Sequence, residues 1–341
     1  MKATRFSMTL YISLPVLASA CSVVMIAHFV LLVEGRILAD GPYGDTFTYI
    51  ALAESFGFFN SELITFRIIS PLISGTIANL FTLSGQDSLG LLTGSLNFVY
   101  LLLGFSWMYY LAMKELSANS LEVALPTFLI LMLPGFWKGI FFPVPDALMF
   151  CMFGLILAGI LRQQLAILLP AILVGVWVSE WLFLSFFLMP MADWLRGKEW
   201  NSVWTRGYIA FAAAAVGYLA VPLFTQIPET HMIYHPDAWL THIGEQFANR
   251  DTSFIRAFWR SFTMTLFFIA YRFYVAGWNR VTGTLSIWFI FIFVLVYLLA
   301  PDSANRIMFM TMPALVLWQY RVPTFRNMDL PLKLANPQIQ P

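Results

Sequence analysis

The chain has 341 residues, of which 60% are hydrophobic and 11% charged, with a formal net charge of +1 and a mean hydropathy of +0.76. A soluble domain carries roughly 25% charged side chains, so this composition argues against any soluble fold, and the near-neutral total leaves no basic footprint for a nucleic-acid partner. The apolar residues fall in long continuous runs instead of alternating, which favours a polytopic bundle of transmembrane helices over a β-barrel.

In chain order, the first run covers about 8–33. It begins like a signal peptide, and "ASA" imitates a cleavage site, but the apolar stretch continues well beyond it. It reads as an uncleaved signal-anchor helix. Further runs predict helices at about 89–113, 121–137, 145–161, 164–177, 179–192, 207–224, 255–277, 283–300 and 306–320. The run 63–83 is ambiguous, and the positive-inside rule decides it. Lys2 and Arg5 hold the N-terminus in the cytoplasm, which puts 34–62 on the other side. If 63–83 lies along the outer surface, then Lys114, Arg162, Arg196, Lys198 and Arg206 all fall inside. This choice predicts ten spans, both ends cytoplasmic, with 164–177 and 179–192 forming a tight hairpin that returns to the cytoplasm. Spans of about 14 residues are short beside the ~20 that a full crossing needs.

The organisation that follows is one transmembrane domain over 1–320 and a Pro-rich cytoplasmic tail over 321–341. Two large outer segments belong to the domain: 34–88, with juxtamembrane helices, and the polar, histidine-bearing 225–254. Cys21 and Cys151 both lie in apolar runs and read as small core residues instead of a disulfide.

Ionisable groups at membrane depth cost several kcal/mol unless paired or hydrated, so they are candidate functional groups. Under this topology they gather at one face. Asp40 and Asp45 stand in "ADGPYGDTFTY", Arg67 in "ITFRIISPL", and Asp146 in "FFPVPDALMF" at the start of a span. Glu180 stands in "VWVSEWLF" at the hairpin, Arg256 and Arg260 are one turn apart, and Asp302 and Arg306 open the last span in "PDSANRIMFM". Arginines there would grip a lipid phosphate bidentately, and a carboxylate could take a proton from an incoming hydroxyl. Structural roles compete with these. Asp146 and Asp302 can each N-cap a helix, and Asp302 and Arg306 form an i,i+4 pair that can neutralise itself. Asp40 can shape a turn, and Asp45 can cap a short amphipathic helix. Nothing in "VWVSEWLFL" pairs locally with Glu180. His28 reads as a packing histidine. His231, His235 and His242 could bind a metal, although the proline after His235 breaks the helical spacing.

Taken together, these segments resemble the GT-C superfamily of membrane glycosyltransferases. The similarity runs through "DGPYGDTFTYIALAE" after the first span, "FRIISPLISGTIANLF" from Arg67 to Pro71, and "PVPDALMFCMFGLILAG" heading a later span. It continues in "VSEWLFLSFFLMP", where Ser179 replaces the usual basic residue before the glutamate, and in "DSANRIMFMTMP". The resemblance covers most of 8–320 and implies a polyprenyl-phosphate-linked sugar donor, with inversion at the anomeric carbon. It implies Asp45 as the base, with Asp40 as the alternative. It also implies Arg67 and Arg306, then Arg256 and Arg260, as phosphate binders, and Asp146, Glu180 and Asp302 as further binding residues. The acceptor would be a glycan, lipid or protein. Members of the superfamily differ in metal use, so no cofactor is certain and a divalent metal stays open. The compact loops and the lack of a eukaryotic targeting signal point to a bacterial inner membrane, with the active face extracytoplasmic. A secondary transporter, a polymerase or ligase of lipid-linked glycans, an acyltransferase and a non-catalytic assembly subunit compete with this reading. A transporter would show inverted repeats and midplane sites, and no repeat is visible.

Overall fold

The computed structural model describes residues 45–55, 67–114, 145–195, 197–223, 241 and 244. All regular structure among the described residues is helical. The helices are α1 (Asp45–Ser55), α2 (Ile69–Leu80), α3 (Gln86–Lys114), α4 (Asp146–Leu161) and α5 (Leu165–Val178). A 3-10 segment (Glu180–Phe187), α6 (Leu188–Leu195), α7 (Trp200–Ala220) and a short 3-10 turn (Val221–Leu223) follow. The predicted helices at 89–113, 145–161 and 164–177 are thus α3, α4 and α5. Those at 8–33, 121–137, 255–277, 283–300 and 306–320 lie outside the described residues, as do the tail and all of segment 225–254 except Thr241 and Gly244.

Among the described residues, one helical stretch, Gln86–Gly104, is long and apolar enough to cross a membrane. The helix inside the ambiguous run 63–83, α2, has only 12 residues. At 1.5 Å per residue that is about 18 Å, well short of a hydrocarbon core of ~30 Å.

Close contacts at glycines set the register of the bundle. Gly104 of α3 faces Phe150 and the Cα of Cys151, and Gly154 of α4 faces the Cβ of Trp107. Both helices advance together through these contacts, so α3 and α4 lie side by side and parallel. The turn from α4 into α5 is a Schellman motif. Gln163 takes the left-handed conformation with φ 57°. Its N–H donates to Ile160 O at 3.2 Å, and Gln164 N–H donates to Gly159 O at 2.9 Å. Gly159 then lies directly against the backbone of Leu168, and α5 returns antiparallel to α4.

Beyond Val178 the predicted helix 179–192 takes a different form. The chain runs as a 3-10 segment to Phe187 before α6 begins. Pro190 gives the reason: a continuous α-helix would need its missing N–H to bond the carbonyl of Phe186. Restarting at Leu188 puts Pro190 in a first turn, where no N–H is required. The returning leg packs against α7 antiparallel, with Pro190 on Gly207 and Phe183 and Phe186 edge-on to Phe211. The Lys198 ammonium donates to Gln163 Oε1 at 3.0 Å. The chain has therefore come back beside the point where α5 started, as the tight-hairpin reading expects. Lys114, Arg162, Lys198 and Arg206 consequently share one end of the described bundle.

Helix α7 starts at Trp200, earlier than the predicted 207, and its first turns carry Trp200 edge-on to Trp204 and Trp204 tilted against Tyr208. It buries Val203, Gly207, Ala210, Ala214 and Gly217 while Trp204, Tyr208, Phe211, Val216 and Leu219 are exposed. Small residues inside and large apolar residues outside invert the soluble pattern, and this is the arrangement of helices that pack in lipid.

Helices α1 and α2 meet at a contact with no spare room. A Cβ built on Gly75 would lie 2.5 Å from the carbonyl oxygen of Ala53. Because that neighbour is backbone, Gly75→Ala is expected to pry α1 away and cost about 1–3 kcal/mol. The check is the thermal midpoint of the purified protein in detergent; an unchanged midpoint would contradict this packing.

Candidate functional site

The end of the bundle opposite the shared basic residues collects buried polar side chains. Helix α1 is amphipathic, as its sequence predicts. It buries Ile50 and Ala53 against Ala78 and Leu89 and exposes Ala51 and Glu54. On the same buried face, the Tyr49 hydroxyl accepts a hydrogen bond from Arg67 Nη1 at 3.2 Å. The residue after this arginine is fixed independently: Ile68 N–H donates to Trp177 O at 3.0 Å. Arg67 is thereby tied to α1 and seated beside the C-terminal end of α5.

From there α2 runs antiparallel to α3. The Ser74 and Thr93 hydroxyls lie 3.2 Å apart, and Ala78 shares a core cluster with Leu89. One turn toward Arg67 from the Ser74–Thr93 contact, Ser70 on α2 comes level with Asn97 on α3. The parallel register of α3 and α4 brings Asp146 level with the turn Asn97–Tyr100. Ser70, Asn97 and Asp146 are 3%, 0% and 2% exposed. Three separate helices therefore each deliver an almost fully buried polar group to one layer. At the end of α5, Ser179 is buried as well, and Glu180 opens the 3-10 segment.

Sequence pattern alone leaves Asp146 free to be a helix cap, and the structure corrects this. Pro145 occupies the cap position, no side chain caps the helix, and Asp146 is the first helical residue. Its carboxylate still lies at the positive end of the α4 dipole, but its burial is that of a core residue. Asp45 is the first residue of α1, one turn before Tyr49. Among the residues singled out from sequence, Arg67 and Asp146 thus stand at the same end of the described bundle. Asp45 and Glu180 begin the two elements that border it. Asp40, Arg256, Arg260, Asp302, Arg306, His28, His231, His235 and His242 lie outside the described residues.

A search confined to ionisable groups misses Tyr49, Ser70, Thr93, Asn97 and Tyr100. The usable signal is spacing: Thr93 and Asn97 fall i,i+4 in "LLTGSLNFVY", on the face that later carries Gly104. It also misses Asp193, which is 1% exposed. That carboxylate lies at the basic end, 2.9 Å from Lys198 Nζ and 3.4 Å from Arg206 Nε.

Chemically, the polar layer has two characters. At its α1 edge a guanidinium beside a phenol suits an anion. At its α3–α4 edge, the Asp146 carboxylate and the Asn97 amide are both buried. Among the described residues, no three His, Cys, Asp or Glu side chains group as a metal site would require. Comparison with protein-family models, characterised proteins and solved structures finds no match.

Proposed function

We propose that this chain is an integral membrane glycosyltransferase of the GT-C type. It moves a sugar from a polyprenyl-phosphate donor to an extracytoplasmic hydroxyl acceptor. The observation that supports the reading is that Arg67 and Asp146 stand at the same end of the described bundle, Arg67 beside the C-terminal end of α5 and Asp146 at the start of the antiparallel α4. The resemblance assigns both to one site, and they reach that end from segments far apart in sequence.

In this mechanism Asp45 takes the acceptor proton, with Asp40 as the alternative. The acceptor oxygen attacks the anomeric carbon from the face opposite the lipid phosphate, and the configuration inverts. Charge then develops on the departing phosphate. Arg67 meets it, with Arg306, Arg256 and Arg260 as further donors, since an oriented guanidinium in a water-poor site stabilises such charge strongly. Asp146, Glu180 and Asp302 orient the acceptor and the arginines.

The ten-span arrangement is part of the proposal. Parallel packing of α3 and α4 supports the predicted crossing at 121–137, and the shared end of Lys114, Arg162, Lys198 and Arg206 supports a cytoplasmic face there. The polar layer would then face the other leaflet of a bacterial inner membrane. A reporter fused after Lys114 is expected to read cytoplasmic, and a periplasmic signal would sink this orientation. The test of activity is reconstitution: the purified protein, given a polyprenyl-phosphate sugar and cell-envelope acceptors, should yield glycosylated product by mass spectrometry. Folded protein that neither binds nor consumes any such donor, yet carries solute into liposomes, would instead identify a transporter.

A further inference from the structure

Tyr49 is the polar exception on the buried face of α1, which otherwise carries Ile50 and Ala53. It is 3% exposed, whereas Arg67 is half-buried. Burying a phenol among apolar residues is costly unless its hydroxyl has a partner, and here the partner is charged: Arg67 Nη1 donates to the hydroxyl at 3.2 Å. A phenylalanine would serve the packing of α1 alone, so the hydroxyl acts on Arg67. The backbone beside that arginine is held by other means. Ile68 N–H donates to Trp177 O at 3.0 Å, and the Trp177 indole N–H donates to Gly217 O at 2.8 Å. The chain is thus fixed at residue 68 by its backbone, and Tyr49 fixes the side chain next to it.

We propose that Tyr49 is a positioning residue for Arg67: its hydroxyl holds the guanidinium ready for the phosphate of the lipid-linked donor and does not itself touch that phosphate. This rests on the glycosyltransferase reading and adds to it the group that aims its phosphate binder. A loose arginine side chain samples many rotamers, and a bidentate grip on phosphate accepts few of them. The guanidinium carries its five N–H donors in one rigid plane, so the bond given to Tyr49 constrains where the rest of that plane lies. Ordering completed before the donor arrives is ordering that binding does not have to supply. The burial of the phenol makes it an anchor, since it has little surface to offer a headgroup. Tyr49 also stands one turn after Asp45 on α1, so the same bond ties the phosphate binder to the helix that begins with the base.

The experiment is a double-mutant cycle on the full-length protein in lipid nanodiscs, read as binding of polyprenyl monophosphate. Tyr49→Phe is expected to weaken binding about tenfold in the wild-type background, the scale of one charge-assisted hydrogen bond. In the Arg67→Ala background, titrated to higher lipid, the same substitution is expected to change binding by less than about twofold, because the group it orients is gone. A general loosening of α1 would weaken binding in both backgrounds alike. Tyr49→Phe is expected to fold, since Ile50 and Ala53 still pack on Ala78 and Leu89 and the Ile68–Trp177 bond remains. Full affinity in Tyr49→Phe, an equal loss in the two backgrounds, full affinity in Arg67→Ala, or a Tyr49→Phe protein that no longer folds would each overturn the anchor while leaving the transferase reading in place. Wild-type protein that binds polyprenyl monophosphate but transfers no sugar from its glycosylated form would overturn the transferase reading and leave the anchor standing. Wild-type protein that binds no polyprenyl phosphate would overturn both.

Discussion

Asp45→Asn is expected to slow sugar transfer by about two to four orders of magnitude, the usual contribution of a general base. The substitution keeps the size of the side chain and removes its ability to take a proton. The fold should tolerate it. Helix α1 is held by Ile50 and Ala53 against Ala78 and Leu89 and by the Tyr49–Arg67 hydrogen bond, none of which involves the Asp45 carboxylate. The loss should therefore appear in kcat, with donor affinity nearly unchanged. Arg67→Ala should show a different pattern, because it removes a group that meets the phosphate both before and during departure. Mass-spectrometric counting of product in both variants separates the roles. If Asp45→Asn is active and Asp40→Asn is not, the base is Asp40. Full activity in both would remove the carboxylate base from the mechanism.

The sequence was most informative where one physical effect dominates. Helices α3, α4 and α5 follow from uninterrupted apolar length. The shared position of Lys114, Arg162, Lys198 and Arg206 follows from charge placed beside those lengths. Legibility failed where two effects compete. The stretch 179–192 has helical composition, but Pro190 cannot donate to Phe186, and Leu182 packs on Gly175. The resulting 3-10 path depends on that tertiary contact. The start of α7 at Trp200 is not legible because "WNSVWTR" is not apolar enough to extend a run. Asp146 looked like a cap because it follows "PVP", and only the packing of α3 on α4 reveals its burial. The polar end of the bundle is half legible: Arg67 and Asp146 carry charge and draw notice, whereas Asn97 stands out only once α3 has neighbours.

Asp193→Ala is expected to destabilise the protein by about 3 kcal/mol, near the low end of what removing one partner from a buried ion pair costs. The low end applies because the cations keep some water: the Lys198 and Arg206 side chains are 22% and 17% exposed, while Asp193 is 1% exposed. This carboxylate joins three parts of the chain. It comes from α6, bonds Lys198 in the turn that follows, and pairs with Arg206 nearly two turns into α7. Lys198 in turn reaches Gln163 at the head of α5. The cluster thus closes the base of the excursion whose far tip bears Glu180, and loosening it should change where that tip sits. Reduced transfer activity is expected to accompany the lower stability, although Asp193 is at the end of the bundle remote from the polar layer. The control is a triple variant, Asp193→Leu with Lys198→Leu and Arg206→Met, which removes the charges together. Since well-packed apolar groups can replace a buried ion cluster with little loss, it should recover most of the thermal midpoint lost by Asp193→Ala. A single variant as stable as wild type would show that the cluster does not clamp the hairpin. A triple variant no better than the single would show that packing at Asp193, and not charge balance, sets the stability of this end.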